Sequence, residues 1–590
     1  MLQGSAMSNE DDLDAGPVSY AQFYTKQKHG SYGVVIPWFQ RNYAWQPRHV
    51  RKFIASINDA DTGLYVGNIL VRNSLGTDPD IVIDGQQRLV TLSLLLLELR
   101  RHLPVEEKSI NKILFSADAN SPRVIFSRSN LKGVYEKILA GMTLDEIELD
   151  ESTKRISKNF EEIQKELKLI KDKDLFFQKV CAVTFVVIKI PNSYNASSLF
   201  EGLNATNKPL TTVELTKNSL FGNVRGDTSL LEEVNQVWEE IESAFEAVNN
   251  TWFDSFLRYR SFTEYHHVTN QLLFEKISKD LRNCTAEEIL RFVQNLEEDA
   301  DIFLRLRNGQ SVVGDGVVMG SMSTDARAGL ARLVQGVRSL GFPQIYIVLL
   351  ALYKYGNKNP KYFTKDTLFR DVKAAFSFVV LAKYTQVIPS RYEKLFANFA
   401  GDIHNLKQGQ TPGSLKSVFF KKLQGLIPES TDKEFATALL KDIYCTGKTV
   451  KRPTSRNDRD FLGSLLRLLE GDDLSVSGTI EHVIPKSDEW RQSWKHVVPE
   501  FQEQLRFRLG NLTLLEDKLN KVAGSETLED KILQYNLSGF EMTKQLSRKN
   551  GRYYKGFSSG DPASVIEERG EKMACELFQK LRSEILNYGK

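Results

Sequence analysis

The sequence predicts an α+β protein of several domains, and three observations carry that prediction. The chain has 590 residues, more than one core serves, and ordinary domain sizes suggest roughly three to four domains. Strand signals fall near the two ends, at Val34–Ile36, Leu64–Arg72, Ile81–Ile83, Ala182–Ile190 and Leu509–Leu515. Residues 227–445 between them read as long amphipathic helices, for instance Leu230–Val248, Ala286–Arg307 and Ile345–Tyr355, with no fixed-period repeat. The expected organisation is a disordered lead over 1–17, an α/β domain over 18–225, a helical connecting domain over 226–460 and a last domain over 461–590.

Composition narrows the functional classes. The 78 Lys and Arg against 75 Asp and Glu leave a net charge of +3, so no global field announces a nucleic-acid protein and such binding must come from local patches. The four cysteines, Cys181, Cys284, Cys445 and Cys575, are far apart and form no CxxC pair, which argues against zinc ribbons and a disulfide scaffold and fits a reducing cytoplasm. No apolar run approaches the ~20 residues of a membrane span. No signal peptide is visible, and Met1–Ala6 ahead of a second methionine, Met7, reads as a cloning remnant.

Folding is expected to begin near Val18, after the acidic stretch Ser8–Gly16. Val34–Ile36 runs into a loop dense in aromatics, Pro37–Trp45, whose polar centre is Gln40 and Arg41; aromatics beside an arginine stack a base or roof a core. A helix over Arg48–Asp59 and the strand Leu64–Arg72 lead to Ile81-Val82-Ile83-Asp84-Gly85-Gln86-Gln87-Arg88. Three β-branched residues make a buried strand, Asp-Gly a sharp exit, and Arg88 onward a helix with Leu92, Leu95, Leu96 and Leu99 on one face. A glycine-bearing loop at a helix N-terminus can cradle a phosphate on unpaired N–H groups, with Arg88 as a bidentate clamp. Asp84 as N-cap with Gln87 three residues on also makes a capping box, so local chemistry weighs helix initiation and phosphate binding equally.

Residues 104–180 read as helical, then comes the strand Ala182–Ile190. Leu199–Asn204 and Lys208–Thr211 lead into a helix carrying Glu214, Lys217 and Asn218. The glycine-rich break Val313–Gly320 lacks nucleotide-loop spacing, and the basic stretch Lys448–Arg459 marks a boundary. After a helix over Phe461–Leu469 come Glu481-His482-Val483-Ile484-Pro485, then Gly510-Asn511-Leu512-Thr513-Leu514-Leu515, then a helix carrying Asn520. Oxygen ligands suit Mg²⁺ or Mn²⁺, and an imidazole with a pKa of about 6.5 can take a proton from attacking water. In a regular strand Glu481 and His482 point to opposite faces, so one site holds both only if the strand ends or twists there, and Pro485 favours an early end.

These two strings resemble the HNH, or ββα-metal, nucleases at the C-terminus of GmrSD-type restriction proteins, and the nine-residue interval between Asn511 and Asn520 is that of the His-Asn-Asn version of the motif. Carried over by position, the resemblance implies that His482 is the general base, that Glu481 and Asn520 hold one divalent ion, Mg²⁺ or Mn²⁺, and that Asn511 braces the loop or His482. The first acid is Glu where many relatives have Asp or His, and the gap from His482 to Asn511 is long. The Asp84-Gly85-Gln86-Gln87-Arg88 loop, with Pro37–Trp45 before it and Leu199–Asn204, Lys208–Leu210 and Lys217-Asn218 after it, resembles the ParB-like nucleotide-hydrolysing half of the same architecture.

The resemblance implies a cytoplasmic, modification-dependent (type IV) restriction DNA endonuclease of antiphage defence, whose N-terminal domain binds and hydrolyses an NTP, GTP or ATP. Gln40, Arg41, Asp84, Gly85, Gln86, Gln87, Arg88 and Lys217 are then the nucleotide residues, with Asp84 and Arg88 in its hydrolysis. Double-stranded DNA is expected to meet Lys518, Lys521 and Lys531 and the tract Lys544, Arg548, Lys549, Arg552, Tyr553, Tyr554 and Lys555. Two alternatives remain: a nucleotide-gated sensor of modified DNA with a degenerate nuclease, which Glu481 favours, and an RNA-cutting toxin. No membrane is implied, and homo-oligomerisation is left open.

Overall fold

The computed structural model describes residues 14–24, 32–37, 40, 43–61, 63–72, 74, 78–116, 121–142, 153–191, 211–223, 228–249, 251–311, 322–359, 366–428, 432–443, 456–471, 474, 477–485, 505–524, 526–559, 561–586 and 588. The protein is α+β and multidomain, mainly helical with two small sheets. It divides into a unit made of Met1–Asp254 with Phe274–Val293 and a unit made of Ser255–Leu273 with Gln294–Lys590. Among the described residues no helix is long and apolar enough to cross a membrane.

The first unit is built on a six-stranded mixed sheet in the order β1-β6-β3-β4-β2-β5, from β1 (Asp14–Ser19), β2 (Val34–Ile36), β3 (Tyr65–Arg72), β4 (Asp80–Asp84), β5 (Val124–Phe126) and β6 (Thr184–Ile190). The β-branched runs are continuous because both sheet faces are covered. Ile69, Val71, Val82, Phe185 and Val187 join the large core, while Leu70, Ile81, Ile83, Ile188 and Ile190 alternate onto the other face in a second cluster. The chain enters the sheet earlier than its acidic start suggests. Asp14 pairs with Lys189 on the antiparallel edge strand, where Gly16 and Pro17 leave no interior ladder broken. The short strand β5 interrupts the stretch read as helical because it pairs parallel with β2.

The helix Gln86–His102 corrects the expectation of one apolar face: every residue from Leu89 to Leu99 is buried. It is packed among the helices Glu107–Leu114, Lys154–Leu169 and Lys173–Cys181, so no face is left to water.

Among its described residues the second unit is helical apart from β7 (Thr479–His482) and β8 (Leu512–Leu515), which pair antiparallel with Glu481 opposite Thr513 and His482 opposite Leu512. The short helix Asp517–Ala523 follows directly, giving strand, strand, helix. The 25-residue helix Pro562–Leu586 packs on Asp432–Ile443, Thr367–Tyr384 and Arg456–Glu470, and also against the entry to β8. There a Cβ on Gly510 would stand 1.8 Å from the Ile566 carbonyl oxygen, so only glycine permits the approach.

Candidate functional site

At the first loop β4 ends on Asp84 and the helix begins at Gln86, with Gly85 as its N-cap at φ +97°. A side chain there would be strained and would meet Ile69 Cγ1 at 2.9 Å. The capping-box reading is thereby corrected: Asp84 lies one residue too early to cap, and Gly85 has no side chain to do so. Arg88, Asp84 and the Gln87 oxygen make contacts within the chain. Arg88 Nη1 donates to the Val66 carbonyl at 2.6 Å and Nη2 faces Asp84 Oδ2 at 3.4 Å. Burial lowers the Arg88 pKa, with Asp84 opposing. Gln87 Oε1 accepts the N–H groups of Ala44 and Trp45 at 2.8 and 3.2 Å, tying the aromatic loop to the helix start. Gln86 and Gln87 are both buried, and Gln87 Nε2 has no hydrogen-bond partner.

Gln40 Nε2 donates to the Ile83 carbonyl at 2.8 Å, and its own carbonyl accepts Arg128 Nη2 at 3.2 Å. Arg128 Nη2 also reaches Glu242 at 3.0 Å, and the same carboxylate takes Lys217 Nζ at 2.7 and 2.8 Å. Lys217, expected as a nucleotide cation, is thus a buried partner of Glu242 and connects to the loop through Arg128 and Gln40. Burial brings its pKa down to about 8 against the pull of Glu242, whose own carboxyl, penalised by burial, is held below its usual range by Lys217 and Arg128. Arg41, Leu199–Asn204, Lys208–Leu210, Val313–Gly320 and most of Lys448–Arg459 lie outside the described residues.

At the second loop β7 ends on His482, three residues before Pro485. The His482 ring lies edge-on to Phe507 at 6.1 Å between centroids. The Glu481 side chain is buried, and its Oε1 accepts Lys531 Nζ at 2.6 Å and the Tyr535 hydroxyl at 2.9 Å. Lys531 Nζ also donates to the His482 carbonyl at 2.9 Å. Asn511 is wholly buried: Oδ1 accepts the Ile484 N–H at 2.8 Å, and Nδ2 donates to the carbonyls of Ile484 and Arg506 at 3.0 Å each. It pins the turn that follows His482. Asn520 Nδ2 donates to Thr479 Oγ1 at 2.8 Å, which attaches it to the strand position two before Glu481, on the same face. Among the described residues no group of three or more His, Cys, Asp or Glu side chains is gathered for a metal.

Lys531 corrects an expectation. Expected as a DNA-contacting surface lysine, it has a wholly buried side chain, with burial lowering its pKa against the pull of Glu481. Lys518, Lys521, Lys549 and Lys555 are exposed, Arg548 and Arg552 are ion-paired to Glu541 and Glu568, and Tyr553 and Tyr554 pack on the apolar core. Arg128, Glu242, Tyr535 and Arg569 were not singled out. Arg569 Nη1, fully buried, donates to the carbonyls of Gly510 and Leu512 at 2.6 and 2.8 Å, and burial draws its pKa to about 10. The one legible signal was the four-residue spacing of Lys531 and Tyr535, which puts both on one face of the helix Leu528–Leu537.

No curated protein matches the chain. Two family models do: the GmrSD restriction endonuclease N-terminal domain over residues 20–221, inside the first unit, and the GmrSD restriction endonuclease C-terminal domain over residues 417–575, inside the second. Together they cover more than half of the chain, and with both domains present in order the protein belongs to the GmrSD restriction endonuclease family, whose partner is DNA.

Proposed function

We propose that this restriction endonuclease is modification-dependent and acts in antiphage defence, with NTP bound and hydrolysed at the Asp84–Arg88 loop controlling metal-dependent phosphodiester hydrolysis at the β7–β8 site. The observation that supports the two-site reading is a helix start with no side-chain cap beside an unpartnered buried amide. Gly85 opens the helix N-terminus, Arg88 is held in a fixed orientation beside Asp84, and the buried Gln87 amide nitrogen lacks an acceptor. A nucleoside triphosphate fits those donors. Gln86, Gln87 and Arg88 would hold its phosphates, with Arg41 as a second clamp and Asp84 beside the terminal phosphate.

The second site fits one hard cation, Mg²⁺ or Mn²⁺. Glu481 receives both of its donors on Oε1, leaving the second oxygen outside those bonds, and Asn520 uses its nitrogen on Thr479, leaving the amide oxygen. Such an ion, when bound, supplies Lewis-acid stabilisation to the scissile phosphate. His482 takes a proton from the attacking water on its imidazole, and Asn511 holds the turn behind it. A second reading, a nucleotide-gated sensor whose nuclease is silent, is favoured by the burial of Glu481 against Lys531.

The test is a cleavage panel of unmodified, hydroxymethylated, glucosylated and phosphorothioated DNA with Mg²⁺ or Mn²⁺, each with and without NTP. Cleavage is expected only of modified DNA and to respond to NTP. His482→Ala should abolish cleavage and spare NTP hydrolysis, and Arg88→Ala should abolish hydrolysis. A His482→Ala protein that cuts as well as wild type would remove the nuclease assignment, and supercoiled DNA left intact under every condition would select the sensor.

A further inference from the structure

The least expected group in the nuclease half is a lysine with no exposed side-chain surface. Lys531 Nζ lies 2.6 Å from Glu481 Oε1 and 2.9 Å from the His482 carbonyl, and the Tyr535 hydroxyl reaches the same Glu481 oxygen at 2.9 Å. As a stability device this is poor. Desolvating two charges offsets most of their attraction, and an apolar pair of similar volume often serves as well or better. Local folding does not demand it either, since the helix Leu528–Leu537 has its own Thr527 cap and anchors itself through Leu528 and Ile532. What the arrangement does is geometrical. Two donors from one helix face converge on one carboxylate oxygen, which restricts rotation of the Glu481 side chain and leaves its other oxygen outside these bonds. The same ammonium holds the backbone of the neighbouring His482.

We propose that Lys531 and Tyr535 are positioning residues of the nuclease centre, fixing Glu481 so that its second oxygen is presented to the divalent ion. The proposal rests on the metal reading above. Ligating carboxylates are commonly held by such outer hydrogen bonds, and removal of these partners typically lowers metal affinity or activity ~10- to 100-fold.

The experiment is a Mn²⁺ titration of the full-length protein without DNA, followed by electron paramagnetic resonance, beside cleavage assays over a range of Mn²⁺ concentrations and a thermal melt. Tyr535→Phe removes one hydroxyl and keeps the packing, so it tests the idea even if Lys531→Met does not fold. Expected for both is Mn²⁺ binding weakened ~10-fold or more, with cleavage recovered at raised Mn²⁺, and the greater part of both restored in Lys531→Arg. Wild-type Mn²⁺ binding in Tyr535→Phe and in folded Lys531→Met overturns the proposal. So does a cleavage loss that saturating Mn²⁺ cannot recover, since that marks a purely structural role. Mn²⁺ binding that survives Glu481→Gln removes the metal assignment itself, and that failure is distinct because the ion then persists in every variant.

Discussion

Asn511→Ala tests how much of the nuclease centre depends on one buried amide. The side chain makes three hydrogen bonds, to the Ile484 N–H, the Ile484 carbonyl and the Arg506 carbonyl, at full burial. Neutral bonds contribute about 1 kcal/mol each, and the stranded Ile484 N–H adds a further penalty of about 1 kcal/mol or more, so the loss is about 4 kcal/mol. At roughly 2–4 °C per kcal/mol for a large unit, the transition of the second unit should fall by about 8–16 °C. Asn511→Asp offers no rescue. It keeps an acceptor for Ile484 but turns a donor into an acceptor against two carbonyls. Cleavage should drop by about 100-fold in both, because the turn behind His482 loses its fix and a misplacement of about 1 Å suffices for that. The assays are a melt followed by intrinsic fluorescence and plasmid nicking well below the melting temperature. An Asn511→Ala protein that melts within 2 °C of wild type, as judged by about 0.5–1 kcal/mol on the same scale, and nicks normally would refute the reasoning.

Three further outcomes are expected. Gly510→Ala should lose about 3 kcal/mol or more, because its Cβ would fall 1.8 Å from a backbone oxygen that cannot swing away; a wild-type melt would contradict this. Gly85→Ala, strained at φ +97° and crowded by Ile69, should cost about 1–3 kcal/mol and abolish NTP hydrolysis, measured by phosphate release; undiminished turnover would count against the loop as the nucleotide site. His404 is held down to about 4 by burial and next by Lys354, while an unfolded histidine titrates near about 6.5. Below pH ~6.5 the unfolded chain therefore takes up the extra proton, and stability falls with pH until the folded group protonates near 4. Subtracting the His404→Gln melting profile from that of wild type should isolate an acid loss of about 3 kcal/mol over that window, and a flat difference would exclude it.

Much of the fold was legible locally. The strand before Asp84 announced itself by three β-branched residues, and the helices at 228–248 and 286–307 by their periodicity. What sequence could not give were facts settled by distant chain. Asp84 and Gln87 make a plausible capping box until Ala44 and Trp45, more than 40 residues away, take the glutamine oxygen. Lys531 follows Glu529 and Asp530 and reads as surface, yet Glu481, 50 residues earlier, draws it into the core. Lys217 sits three residues from Glu214 and reads as a surface pair, whereas its partner is Glu242 on a later helix. In each case the residue types were noticed and their partners were not, because side-chain pairing across a fold leaves no periodic trace.

The close passage of Gly510 beneath Ile566 bears on how this nuclease can be handled and how it can have evolved. With Arg569 reaching back to the carbonyls of Gly510 and Leu512, the segment entering β8 takes its shape from a helix that begins at Pro562, 52 residues after Gly510. The strand-strand-helix motif is therefore not a detachable cassette. A truncation before Pro562 would strip two carbonyls of their donor and leave the β7–β8 hairpin without its floor, so a fragment carrying this hairpin must include the C-terminal helix.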